Sequence, residues 1–273
     1  MTVPRIGPRI DNPSPFEPRD PVPLWLHGAA PGDHKTTVTL NLAYQAAVGH
    51  GIDAVILSPE ATVQQLERRL DARHVLHPSF GLSEEDAVRI ATAMARGTLA
   101  AADDADVARR VREDLRSGTH GRIHLADFGP DRAVSRFADI PAFLDDLSGD
   151  RQRVVFIDHL NLAGGWRALN AAVRELHAMG LRLTTMIFGT FTVNRHAMGR
   201  GQANGRYSMK DVAEVGFEVE RCAHHLTTSL TTPELRERGL VRMQVLKAMM
   251  DPYGEPFDMR FVPGVGALLP LTE

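Results

Sequence analysis

Apolar and polar positions switch period repeatedly from residue 24 onward. The compact apolar runs LWLHGA (24–29), DAVILSP (53–59), RIHLADF (122–128), RVVFIDHL (153–160) and LRLTTMIFG (181–189) predict buried strands. Between them apolar residues recur every three to four positions, predicting helices over 36–48, 63–70, 84–96, 104–116, 140–147 and 167–179. Val38, Leu42 and Ala46, for example, fall on one face of the first. The helices within 84–118 are charged on one side and read as solvated faces or subunit contact surface. Past Gly189 come a polar loop, a short helix over 211–216 and three strand-like segments, 225–230, 241–247 and 257–262. Strands alternating with helices imply βαβ units in a mainly parallel sheet. The last three strands lack long helices between them, predicting an antiparallel extension of one edge.

The region ahead of residue 24 breaks this pattern. Pro4, Pro8, Pro13, Pro15, Pro18, Pro21 and Pro23 forbid helix or central strand there, so residues 1–23 read as an extended arm and 24–273 as one α/β core. Composition agrees, with 43% apolar and 24% charged residues in 273. A single cysteine, Cys222, excludes an intramolecular disulfide and a cysteine-built zinc site. No apolar run approaches the ~18–20 residues of a membrane span, and the N-terminus has no signal-type apolar stretch. The expectation is a soluble, cytoplasmic protein without membrane contact. The net charge of −3 confines any nucleic-acid contact to a local basic element.

Candidate chemistry begins at the first strand–helix turn, Gly28-Ala29-Ala30-Pro31-Gly32-Asp33-His34-Lys35-Thr36-Thr37. Small residues leaving a strand and Lys-Thr entering a helix suit a phosphate: backbone N–H groups face the anion, Lys35 adds charge and the Thr36 hydroxyl can hold Mg²⁺. The motif Gly-x-x-x-x-Gly-Lys-Ser/Thr wants glycine where His34 stands, at a position where a Cβ is unwelcome. Asp158 closes the apolar strand 154–157, where a carboxylate is costly unless it meets a cation or hydrogen bonds. In a nucleotide site it holds the Mg²⁺ through water. A second basic element lies in NRHAMGRGQANGRYSMK (194–210), with Arg195, Arg200, Arg206 and Lys210, no acid, and glycines at 199, 201 and 205. It reads as a flexible cationic loop able to track a sugar-phosphate backbone, with Tyr207 to stack on a base.

In order along the chain, these stretches resemble the RecA-like P-loop ATPase domain of DnaB-type replicative helicases, over about residues 24–262. VILSPEATVQQLERRL resembles that family's strand ending in Ser-x-Glu and the helix after it. FIDHLNL resembles its strand with the metal-binding aspartate, and Asp211-Val-Ala-Glu214-Val-Gly216 the element after its DNA-binding loop. Lys247, followed by Asp251-Pro-Tyr-Gly254, resembles the lysine of its Lys-x-Arg pair. The resemblance implies a RecA-like fold binding ATP and Mg²⁺. Gly28, Pro31, Gly32, His34, Lys35, Thr36 and Thr37 would line the nucleotide. Thr36 and Asp158 would hold the metal. Glu60 would orient the attacking water, Arg69 would act from the helix behind it, and Lys247 would reach a neighbour's γ-phosphate. It further implies a homo-oligomer, a hexameric ring, on single-stranded DNA beside replication proteins.

Three positions depart from the family pattern. His34 replaces the P-loop glycine, Met249 the arginine of the Lys-x-Arg pair, and Thr192 the glutamine that senses the γ-phosphate. They motivate a second reading, a catalytically degenerate RecA-like subunit that binds DNA or serves structure beside an active ATPase. Another RecA-like ATPase, of recombinase or clock type, is a third. His224-His225 has no acidic or cysteine partner in sequence, Met243, Met249 and Met250 read as core filler, and no serine-nucleophile elbow appears.

Overall fold

A computed structural model describes residues 23–99, 101–147, 152–160, 165–213, 217–248 and 255–271. The arm up to residue 22, Asn161 and Leu162, the segment 214–216 and residues 249–254, Met249 among them, lie outside the described residues. In chain order the elements are β1 (Leu24–Ala29), α1 (Lys35–Tyr44), β2 (Asp53–Ser58), α2 (Val63–Val75), α3 (Glu84–Arg96), α4 (Ala102–Arg116), β3 (Ile123–Asp127), α5 (Ile140–Asp146), β4 (Arg153–Ile157) and α6 (Gly165–Leu183). They continue as β5 (Met186–Thr192), α7 (Arg195–Asn204), α8 (Met209–Ala213), α9 (Phe217–Cys222), β6 (His225–Leu230), α10 (Pro233–Glu237), β7 (Leu240–Ala248), β8 (Phe257–Val262) and β9 (Ala267–Pro270).

The nine strands form one sheet in the order β3-β2-β4-β5-β1-β6-β7-β8-β9. From β3 to β6 every pairing is parallel, and from β6 to β9 every pairing is antiparallel. The central strands read as unbroken apolar runs because both sheet faces are covered. Leu24, Leu26, Val55, Leu57, Val155 and Ile157 enter one core, against α5, α6 and the α7–α9 segment. Their alternates Trp25, Ala54, Ile56, Val154 and Phe156 enter the other, against α1 and α2. A third cluster joins α2, α3 and α4 to the β8–β9 hairpin.

The α/β class, the parallel centre and the antiparallel edge agree with the sequence pattern, and four details differ. The segment 225–230 is not the first antiparallel strand: β6 lies parallel to β1, and antiparallel pairing starts with β7. The predicted strand 181–189 starts late, because α6 runs on to Leu183 and breaks only at Thr184, whose φ is 50°. β9 follows Gly264 and Gly266, which turn the chain at positive φ, and its four residues are too few to carry a period. The polar stretch 194–210 is not an open loop. Asn194 caps α7 by accepting the Ala197 N–H at 2.7 Å, and Gly201 lets the Tyr207 ring sit on the helix.

One buried side chain ties several of these pieces together. Asn41 of α1 donates from Nδ2 to the carbonyls of Thr37 and Gly266. Its Oδ1 accepts from Arg73 of α2 and from the Leu268 N–H of β9. Among the described residues, no helix is long and apolar enough to cross a membrane.

Candidate nucleotide site

β1 delivers its carboxyl end to a loop shaped for an anion. Gly32 and His34 both hold positive φ, 82° and 67°, so the chain curls before α1. No side chain caps α1 and no acid stands in its first turn, which leaves its N–H groups and dipole facing the loop. Lys35 folds over this loop, its Nζ donating to the Ala30 carbonyl at 3.0 Å. Burial pulls the Lys35 ammonium down from its ordinary value, against the opposing pull of Asp158, Asp33 and Glu60.

Two further strand ends bring the acids. β2 ends at Ser58, whose Oγ accepts the Ala61 N–H at 3.0 Å, and Thr62 with Gln65 caps α2 by a reciprocal pair. This tight exit projects Glu60 from the rim, exposed. β4 ends at Asp158, 4% exposed, which accepts from Thr190 Oγ1 at 2.9 Å. Arg69 on α2 donates to Thr37 Oγ1 at 3.1 Å. Burial lowers its guanidinium and the Asp158 charge opposes this. Lys35, Thr36, Glu60 and Arg69 line one cleft of about 600 Å³ together with Pro31, Gly32 and Thr37. Gly28 is not on that wall: it sits inside β1, where an added Cβ would meet the Phe191 ring at 2.6 Å, so it serves close packing.

Three residues not singled out from the sequence belong to the cleft or its floor. His159 lines it with Nδ1 3.6 Å from Glu60 Oε1, and its position directly after Asp158 was the available signal. Phe261 packs its ring on His34, centroids 4.1 Å apart, and comes from β8, more than 200 residues away. Asp33 is buried with Oδ2 unpartnered among the described residues, and burial pushes its carboxyl up to about 6. Burial also pulls the His34 imidazole down to about 4.

No protein-family model matches the sequence, and no curated protein matches it. Among solved structures the chain is similar to an isolated ATPase domain of the DnaB-like helicase type, with TM-score 0.69 and 15% identity over 93% of this chain and 86% of that one. It is similar also to a DnaB-like replicative helicase described with its interactions with primase, with TM-score 0.68 and 15% identity. That match covers 92% of this chain and 58% of the helicase, so the chain spans little more than half its length. The fold is RecA-like, of the DnaB helicase ATPase domain.

Within the RecA-like frame the other expected site residues lie away from the cleft. Lys247 pairs with Leu226 near the amino end of β6, whereas the P-loop leaves the carboxyl end of β1. Its Nζ donates to the Glu220 carbonyl at 2.8 Å. Arg195 on α7, Lys210 on α8 and Arg206 between them are exposed. Arg200 instead pairs with Asp211 at 2.5 Å, and Asp211 also accepts from the Ser208 N–H and hydroxyl. Tyr207 is 1% exposed and packed on Gly201, which removes it as a base-stacking ring in this conformation. Thr192 lines the cleft.

Proposed function

We propose that the chain is the ATPase core of a DnaB-like helicase or translocase, a cytoplasmic protein that binds ATP and Mg²⁺ and works on single-stranded DNA as an oligomer. One observation carries this reading: Lys35, the uncapped start of α1, Glu60 and Asp158 converge on one crevice at the carboxyl ends of parallel strands. Lys35 and the loop N–H groups hold the phosphates. Thr36 and Asp158 offer hard oxygen donors, the type Mg²⁺ takes. When bound, the ion neutralises phosphate charge during transfer. Glu60 orients the attacking water and accepts its proton, with His159 beside it to restrict its rotamer. Arg69 approaches from α2. Lys247 faces away from its own cleft, so it acts on a neighbouring copy in a ring, and Arg195, Arg206 and Lys210 meet the DNA backbone. Replication proteins are the partners this role requires.

ATP turnover of the full chain, with and without single-stranded DNA, tests the reading. Lys35→Ala abolishes binding and turnover, while Glu60→Gln keeps binding and loses turnover by ~100-fold or more. Equal background rates in all three proteins remove hydrolysis.

His34 favours one alternative, a RecA-like subunit that keeps the fold without catalysis. Its left-handed backbone carries a Cβ and a ring beside the phosphate loop. Titration with a fluorescent ATP analogue separates the two readings, since micromolar binding that needs Mg²⁺ rejects a dead site.

A further inference from the structure

A second group of chemistry-bearing side chains stands one helix length from the P-loop. Tyr44 closes α1, nine residues after Lys35, or about 13 Å along the helix axis. Next to it α2, α4 and the α4–β3 connection contribute His74 Nε2, Asp114 Oδ2 and His120 Nε2, all within 4.8 Å of one another. The two imidazole nitrogens lie 2.9 and 3.1 Å from the same carboxylate oxygen. Ligands of a tetrahedral ion with bonds of about 2.0–2.1 Å stand about 3.3 Å apart, so small side-chain shifts admit an ion among these atoms. We propose that His74, Asp114 and His120 bind one divalent transition-metal ion of the zinc type.

The donor set selects the ion class. Two imidazole nitrogens with one carboxylate oxygen suit Zn²⁺, Co²⁺ or Ni²⁺, whereas Mg²⁺ and Ca²⁺ prefer oxygen alone. The surroundings supply the orientation that a metal-binding histidine needs. Tyr44 Oη lies 2.8 Å from His74 Nδ1, so an Nδ1–H donated to the phenol oxygen turns Nε2 toward the ion. Arg73 lies over the Tyr44 ring at 4.6 Å, and the Phe80 edge meets the His74 ring at 5.3 Å, which hold both rings in place. His74 has no exposed side-chain surface, while the Asp114 side chain is 40% exposed. The site is therefore closed on the protein side and open on the solvent side, which provides an entry path and a fourth coordination position for water. His77 borders the group, but its Nδ1 is engaged by Ser79, so it is a wall.

The ion's place in the fold assigns it a clamping role. His74 is in the last turns of α2, Asp114 in the last turn of α4, and His120 in the loop that leads into β3. One ion would cross-link these ends and brace α2, the helix that carries Arg69 to Thr37. The proposal does not depend on ATP hydrolysis.

The test uses the full chain purified without a histidine tag and stripped by a chelator. Dialysis against Zn²⁺, followed by metal analysis and calorimetric titration, is expected to give one ion per chain and a higher Tm. Co²⁺ in the same site is expected to show the strong visible bands of tetrahedral nitrogen and oxygen ligation. Asp114→Asn and His120→Gln preserve shape and are expected to weaken Zn²⁺ by at least about 100-fold, Tyr44→Phe by about tenfold, and His177→Gln not at all. Absence of retained Zn²⁺, or equal affinity in Asp114→Asn and His120→Gln, leaves only a hydrogen-bonded network and overturns the proposal. Should those variants not fold, anomalous scattering from Zn²⁺-soaked crystals of the unaltered chain decides. A peak among the three ligand atoms supports the site, and peaks only elsewhere reject it.

Discussion

His34 carries two opposing energies. A non-glycine residue in the left-handed region costs about 1–2 kcal/mol, and its φ of 67° lies there. The contact of its ring with Phe261 returns about 0.5–1.5 kcal/mol. The terms nearly cancel, which explains how a P-loop tolerates the residue. His34→Ala keeps the strain and loses the contact, while His34→Gly loses both. Urea unfolding should therefore find the glycine variant about 1 kcal/mol more stable than the alanine variant and close to the parent. Behind the loop, His27 is fully buried between the hydroxyls of Thr227 and Ser229. Burial, aided by the Lys35 charge, pulls its imidazole from 6.5 to about 3. Between those values the unfolded chain binds the extra proton, so acid favours unfolding. This contribution is whole above pH 6.5 and falls by at most about 1.4 kcal/mol per pH unit below it. His27→Gln removes that slope from the difference between unfolding curves at pH 7 and pH 5. At this scale the site was partly legible. Lys35, Glu60 and Asp158 each follow a strand end, where local chemistry marks them. Phe261 and Gly266 reach the site across more than 200 residues, with no local trace of their destination.

Among the elements, α7 departs furthest from its sequence pattern. Its two inner glycines and polar composition argue against a helix, yet the Asn194 cap and the Tyr207 ring against Gly201 hold one. The helix sorts the four cations by role. Arg200 neutralises the buried Asp211, whereas Arg195, Arg206 and Lys210 face solvent. Alanine at Arg195 or Arg206 should weaken single-stranded DNA binding for all sequences and reduce the salt slope of log affinity by about 0.7 per lost phosphate contact. Arg200→Ala should instead lower stability by about 1–3 kcal/mol, since it leaves a buried carboxylate short of a partner. Fluorescence anisotropy against salt and thermal unfolding separate the two outcomes. The strand runs were legible because burial on both faces leaves nothing but apolar residues. The parallel placement of β6 was not, because pairing direction is set by the path of α9 and the chain around it.

On the scale of the molecule, one sheet separates two chemically distinct ends. The carboxyl ends of β1, β2 and β4 converge on the cleft, and Lys247 lies toward the other end of the sheet. If Lys247 serves a neighbouring copy, Lys247→Ala lowers ATP turnover without lowering nucleotide affinity. Mixing it with Lys35→Ala should then restore part of the rate, because mixed assemblies recreate some intact junctions. No recovery on mixing, measured beside affinity for the ATP analogue, would assign the lysine a role within its own chain. The sheet order and the length of the match account for the legibility of the whole. At 15% identity the family likeness survives in the order of short motifs at strand ends, while the surfaces between them have diverged.

Asn41 has its amide fully engaged, by α1 itself, by α2 and by the far hairpin. The helix that starts at the phosphate loop therefore cannot pivot alone: turning it breaks buried bonds or drags β8–β9 along. The turn at residues 263–266 thus works as an outboard pointer for the loop, and a fluorophore there would register nucleotide arrival without touching the pocket.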